Sequence, residues 1–204
     1  KWNILKGIKM ALKIGIAGPV GSGKTSLIES LTNLLKDKYS LAIVTNDIYT
    51  TEDANYLKEH LDLDSNRITG VETGGCPHTA IRDDISMNQK AVVELEQTFS
   101  PDIIFVESGG DNLSATFSYE LIDYYMYIID VAQGADIPRK KGAGLLFSDL
   151  LVVNKTDLAP YVDVDLDLMK SDVSNNRKNK PSVFISKKDK ESLNQVVAWI
   201  EALI

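Results

Sequence analysis

The chain is poor in residues that cross-link, ligate or span. One cysteine, Cys76, stands among 204 residues, so no disulfide can close within the chain. Histidine is almost as scarce, with His60 and His78 the two copies. One chain therefore cannot build a multi-thiolate metal centre alone. No apolar run approaches the ~18 residues that a membrane-crossing helix needs. Lys1 to Lys9 lacks the continuous apolar core of a secretory signal, and residues 1–9 read as an extension ahead of a single domain over 10–204. Basic charge is also short: 22 Lys and Arg against 29 Asp and Glu leave a net charge of −7. That balance argues against a nucleic-acid partner, which needs a dominant basic face. Arg139-Lys140-Lys141 is a short exception that reads as a solvated or partner-facing patch.

What is present fits one soluble α/β domain, with 44% hydrophobic and 25% charged residues. Apolar runs alternate with helix-period segments, the mark of a mostly parallel central sheet flanked by helices. Strands are expected at Leu12–Ala17, Leu41–Thr45, Ile103–Glu107, Tyr125–Asp130, Leu150–Val153 and Val183–Ile185. Helices are expected at Lys24–Leu35, Glu52–Leu61, Thr79–Phe99 and Leu193–Leu203, and Ser171 to Lys180 reads as a polar loop. No internal repeat is visible.

The first strand runs straight into Gly18-Pro19-Val20-Gly21-Ser22-Gly23-Lys24-Thr25. This matches G-x-x-x-x-G-K-[ST] in the setting that pattern requires, a strand before and a helix after. Gly18, Gly21 and Gly23 let backbone N–H groups turn inward around a phosphate, and Ser22 and Ser26 belong to the same cradle. The helix start adds the positive end of its dipole. Lys24 would reach the β- and γ-phosphates, and the Thr25 hydroxyl would ligate Mg²⁺. A P-loop NTPase is the expected class.

Guanine is the expected base. Leu150 to Val153 leads into Asn154-Lys155-Thr156-Asp157, an N-K-x-D pattern that resembles the specificity motif of GTPases. Asp157 can accept two hydrogen bonds from guanine N1–H and its exocyclic amine; adenine would leave that carboxylate unpaired. Lys155 would lie over the ring and Asn154 would brace the loop. A nucleotide site in a chain with one cysteine points to the cytoplasm. Two further strand ends carry chemistry, where open sheets of this kind collect ligands. Asp47 follows the second strand and suits a Mg²⁺ partner or a water-orienting carboxylate, although a turn or helix cap would also use it. Glu107 stands where a Walker B acid would, and a buried carboxylate is expensive to leave idle.

Glu72-Thr73-Gly74-Gly75-Cys76-Pro77-His78 is the other singular segment. A thiolate and an imidazole on either side of rigid Pro77 can present two metal ligands in one direction. A bare C-x-H would more simply be a small buried thiol followed by a helix start, but the glycine-rich approach suggests an exposed loop. Two chains about a two-fold axis would supply two Cys and two His to one shared ion, Ni²⁺ if flattened and Zn²⁺ if tetrahedral.

GPVGSGKT at 18–25, TNDIYTTEDA at 45–54, GVETGGCPHTAIRDD at 70–84, ESGGDNLSATF at 107–117 and NKTDLAPYV at 154–162 together resemble the UreG family of urease accessory GTPases. The resemblance covers essentially everything from Met10 onward. It implies a SIMIBI-class G domain that delivers Ni²⁺ to apo-urease with the other urease accessory proteins. It also implies that Cys76 and His78 bind nickel across a GTP-dependent homodimer. Lys24 then contacts phosphate, Thr25 and Asp47 serve Mg²⁺, and Glu72 links the metal loop to the nucleotide and its Mg²⁺. The chain departs from the family pattern at Lys141 to Leu145, at Phe147 and at Phe184 to Lys187. With no glutamine placed to orient water, hydrolysis is expected to be slow without partners. A hydrogenase-type nickel GTPase, a regulatory GTPase with a structural Cys76, and a small-molecule kinase are the competing expectations.

Overall fold

The computed structural model describes residues 10–48, 50–75, 77–110, 116–178 and 180–204. In chain order the strands are β1 (Leu12–Ala17), β2 (Leu41–Asp47), β3 (Ile68–Glu72), β4 (Ile103–Glu107), β5 (Tyr124–Asp130), β6 (Leu150–Asn154) and β7 (Ser182–Phe184). The helices are α1 (Lys24–Leu35), α2 (Glu52–His60), α3 (Ser86–Phe99), α4 (Ala143–Phe147), α5 (Leu166–Arg177) and α6 (Lys190–Glu201). The strands form one sheet in the order β3-β2-β4-β1-β5-β6-β7, and every ladder in it is parallel. β2, β3 and β4 lie to one side of β1 and β5, β6 and β7 to the other. The winding therefore reverses at β1, and its carboxyl end is the switch point where such sheets bind ligands.

Burial on both faces explains why the central strands are apolar without alternation. One face packs Ile14, Ile16, Phe105 and Ile128 beneath Leu27, Ile28 and Leu31 of α1, Leu57 of α2, and Leu193, Val196 and Ile200 of α6. The other packs Val44, Val106, Ile129 and Val153 against Val92 and Leu95 of α3 and Met169 and Val173 of α5. Complete burial of one such side chain is worth roughly 1.5–3 kcal/mol.

Four expectations need correction. β3 was absent from the expected strands; it is a five-residue edge strand whose Ile68 and Val71 alone are buried. The helix expected over Thr79–Phe99 is two pieces, a π-helical turn at Thr79–Asp83 and then α3. Between them Asp84 Oδ1 accepts from Ser86 Oγ at 2.7 Å, and that local bond competes with helical continuation. The polar stretch from Ser171 belongs to α5, which Asp165 caps by accepting from the N–H of Asp167 and Leu168. Its buried stripe is Met169, Val173 and Arg177, and a cation there disguised the period. Finally, α6 starts at Lys190, where Asp189 caps it. The 139–141 cluster is partly neutralised by Arg139–Asp172 and Lys140–Asp136 ion pairs at 3.2 and 3.1 Å. Among the described residues no helix is long and apolar enough to cross a membrane.

Candidate functional site

The loop between β1 and α1 is shaped for a phosphate. Gly23 holds φ at 96°, and a Cβ there would stand 2.5 Å from Asn154 Nδ2. A side chain would thus push the phosphate loop off the end of β6, where the base would be read. The first turn of α1 carries no acidic residue, which leaves its dipole free for an anion. Lys24 is buried, and its Nζ donates to Gly18 O at 3.0 Å and Pro19 O at 3.3 Å. Gly18, Gly21 and Ser22 complete the loop, and Thr25 and Ser26 follow on α1. Ser22 is fully buried, and its Oγ has no protein partner among the described residues.

The end of β6, with Asn154, Lys155 and Asp157 at or after it, is tied to this loop. Asn154 Nδ2 donates to Ser22 O at 3.0 Å, and its Oδ1 accepts from Lys155 N at 2.7 Å. Lys155 takes a left-handed turn, and its Nζ donates to Gly21 O and to Asp130 Oδ2, the latter at 3.1 Å. Asp157 accepts from Ser186 Oγ at 2.7 Å and pairs with Lys188 at 2.7 Å. Those contacts, Lys188 first, hold its carboxyl below the usual range, so it is an anion able to accept further hydrogen bonds.

Strand alternation sorts the carboxylates. Odd positions of β2 and β4, such as Ile43 and Phe105, face α1 and α2, so Asp47 and Glu107 project to that same face. There Thr25 Oγ1 stands 2.7 Å from Glu107 Oε1 and 3.2 Å from Asp53 Oδ1. Asp47 accepts from Ile48 N at 2.7 Å and from the Thr50 hydroxyl. Glu107 is wholly buried, and burial, aided by Asp53 and Asp47, pushes its carboxyl up to about 8. A neutral Glu107 also resolves the geometry: one Thr25 proton cannot serve two carboxylates, but Glu107 can donate to Thr25 while Thr25 donates to Asp53. Glu107 Oε2 has no protein partner among the described residues. Two stranded buried polar atoms, Ser22 Oγ and Glu107 Oε2, together with a lysine, a hydroxyl and hard oxygen donors, fit a phosphate chain and Mg²⁺.

The segment from Glu72 to His78 adjoins this cluster. Thr73 N donates to Asp47 O at 2.8 Å, and Gly74 N to Ile48 O at 3.1 Å. Glu72 stands opposite Asp47 in the β2–β3 ladder, but it is exposed and Asp53, not Glu72, reaches Thr25. Pro77 is buried and His78 half-buried at the head of the π-helical turn. Cys76 lies outside the described residues, as do residues 1–9. Asp53, Asp130 and Ser186 were not foreseen as site residues. Asp53 reads as an ordinary acid in a helix's first turn, and its tie to Thr25 spans 28 positions.

A strand-loop-helix phosphate cradle at the switch point of a parallel sheet defines a P-loop nucleotide-binding protein. Residues 12–184 match the family model described as CobW/HypB/UreG, nucleotide-binding domain. A urease accessory protein UreG from Aliarcobacter butzleri is 86% identical over 195 residues, covering 96% of this chain and 100% of that protein. One from Lysinibacillus sphaericus is 56% identical over 191 residues, covering 93% and 91%. Among solved structures, HypB from Helicobacter pylori in complex with nickel superposes with a TM-score of 0.78 at 22% identity, covering 95% of this chain and 87% of that one. At that identity the likeness speaks to fold alone. The chain belongs to the CobW/HypB/UreG family and, within it, to the UreG urease accessory proteins.

Proposed function

We propose that this chain is a GTP-hydrolysing nickel chaperone that binds Ni²⁺ across a GTP-dependent homodimer and delivers it to apo-urease, in the cytoplasm, with other urease accessory proteins. The observation that carries the reading is the 86% identity to a urease accessory UreG over nearly the whole chain, with the phosphate and N-K-x-D motifs meeting at the carboxyl end of the sheet.

Asp157 selects guanine, and Lys24 leaves its loop carbonyls for the β- and γ-phosphates. Mg²⁺, when bound, neutralises phosphate charge, and Thr25, Asp47 and Glu107 are the residues that would hold it. Glu107, protonated without a cation, would hold Mg²⁺ as its carboxylate, with its proton passing to solvent. The Asp47 and Ile48 carbonyls, bonded to Thr73 and Gly74, then set the approach to Cys76 and His78. Cys76 and His78 from two chains supply four ligands to the nickel cargo. Hydrolysis removes the γ-phosphate contacts and releases the pair, an order–disorder switch with a metal site as readout.

The test is light scattering on a sizing column with Ni²⁺, Mg²⁺ and either GDP or a non-hydrolysable GTP analogue, with metal quantified per chain. A dimer holding one nickel per two chains, only with the analogue and only with Cys76 intact, is expected. A monomer throughout, or a dimer indifferent to nickel and to Cys76→Ala, would leave a regulatory GTPase instead.

A further inference from the structure

Even positions of β2 face the opposite side from Asp47, toward α3. Asn46 sits there fully buried, and Asn88 of α3 meets it, also fully buried. The two amides bond reciprocally: Asn46 Nδ2 donates to Asn88 Oδ1 at 2.9 Å, and Asn88 Nδ2 to Asn46 Oδ1 at 2.8 Å. The second hydrogen of Asn46 goes to Glu107 O at 2.9 Å, and that of Asn88 to Ala80 O at 2.9 Å. All four amide hydrogens are therefore spent, and each amide's orientation dictates the other's, since flipping one would set N–H against N–H.

The two outer contacts are unlike. Glu107 belongs to the phosphate and Mg²⁺ site, whereas Ala80 lies in the π-helical turn two residues after His78. A second contact runs beside the first. Gly109 follows Glu107 by two positions, and a Cβ there would meet Pro77 Cβ at 2.7 Å. Only a glycine lets Pro77 sit so close to the segment after β4. The backbone leaving Glu107 is thus joined at two points to the segment on either side of His78.

We propose that the Asn46–Asn88 pair is a coupling clasp: it transmits movement of the Glu107 strand end, set by nucleotide and Mg²⁺, to the turn that carries His78. Asn46 and Asn88 are positioning residues, since neither reaches nucleotide or metal. A hydrogen-bonded pair with mutually dictated orientations moves as a unit, which is what a two-state relay requires. The role rests on the nucleotide-gated nickel reading above and assigns its internal connection.

Two measurements test it. The first is amide hydrogen exchange on the unmodified chain with Mg²⁺ and no nickel, comparing GDP with the GTP analogue. Exchange at Ile81 to Asp83 is expected to slow by about 10-fold or more with the analogue; no change there overturns the clasp. The second compares nickel affinity in the two nucleotide states, and nucleotide affinity with and without nickel. By linkage, nickel must raise the preference for analogue over GDP by the same factor. In Asn88→Ala the ratio is expected to fall to near one, while analogue affinity and GDP-state nickel affinity each stay within about threefold. Asn46→Ala should do the same, and the double variant no more. A variant ratio equal to that of the unmodified chain overturns the clasp. An unmodified chain with a ratio of one but responsive exchange would instead overturn the nickel reading. If Asn88→Ala fails to fold, the exchange experiment decides alone.

Discussion

The carboxyl ends of β2 and β4 have two faces with opposite electrostatic characters. Toward α1 and α2, Asp53 and Glu107 share the Thr25 hydroxyl with Asp47 acting on Glu107 through its charge, and Glu107 keeps a proton to fit. Toward α3, Asn46 and Asn88 satisfy every donor they own without any net charge. The first face is short of positive charge and suits a cation; the second is complete in itself and suits a rigid connection. Period-two alternation alone separates them by one residue, Asn46 from Asp47. Binding chemistry and its mechanical consequence can thus be back to back on the same strands.

The comparison can be broken most severely at the phosphate loop. Lys24→Ala removes the cation that meets the β- and γ-phosphates, and GTP hydrolysis should fall by ~10³-fold or more. Circular dichroism should show an unchanged fold, since the Lys24 bonds to Gly18 O and Pro19 O are local to the loop. Next, Asp157→Asn replaces two acceptors by one acceptor and a donor. GTP affinity should drop on the order of 10²-fold and xanthosine triphosphate should gain, read by competitive nucleotide binding.

Glu107→Gln sharpens the contrast through pH. The folded carboxyl titrates at about 8, above its ordinary 4.5. The folded state therefore binds more protons between those values, and the stabilisation present below pH 4.5 is lost as pH rises toward 8. With each unit worth ~1.4 kcal/mol, the upper bound is a few kcal/mol. Denaturant unfolding without Mg²⁺ or nucleotide should show falling stability across that window, and Glu107→Gln should flatten it. An equally steep slope in the variant would mean that Glu107 is not the group responsible. The smallest effect belongs to Lys188→Ala. Its side chain is 80% exposed beside Asp157, so GTP affinity should change less than about fivefold in a fluorescent-nucleotide titration.

How much of this was legible in the sequence depended on whether the signal was local. β1 and α1 begin and end where the apolar run and the phosphate motif place them. α5 was hidden because its buried stripe ends in Arg177, whose guanidinium bonds to the carbonyls of Leu145, Ser148 and Pro181. No periodicity rule counts an arginine as core. β3 was hidden because an edge strand of five residues with two buried side chains carries little pattern. In the site, Lys24, Asp47, Glu107 and Asp157 were visible from motif position. Asp53 and the Asn46–Asn88 pair were not, since contacts across 28 and 42 positions follow from tertiary packing.

The central claim is that nucleotide state gates the metal site. It is met most directly by titrating Ni²⁺ into the full chain with Mg²⁺ and either GDP or the non-hydrolysable GTP analogue, followed calorimetrically. The account predicts tighter binding with the analogue by about 10-fold or more, at one nickel per two chains, abolished by Cys76→Ala. Equal affinity in the two states, or one nickel per single chain unaffected by Cys76→Ala, would contradict it.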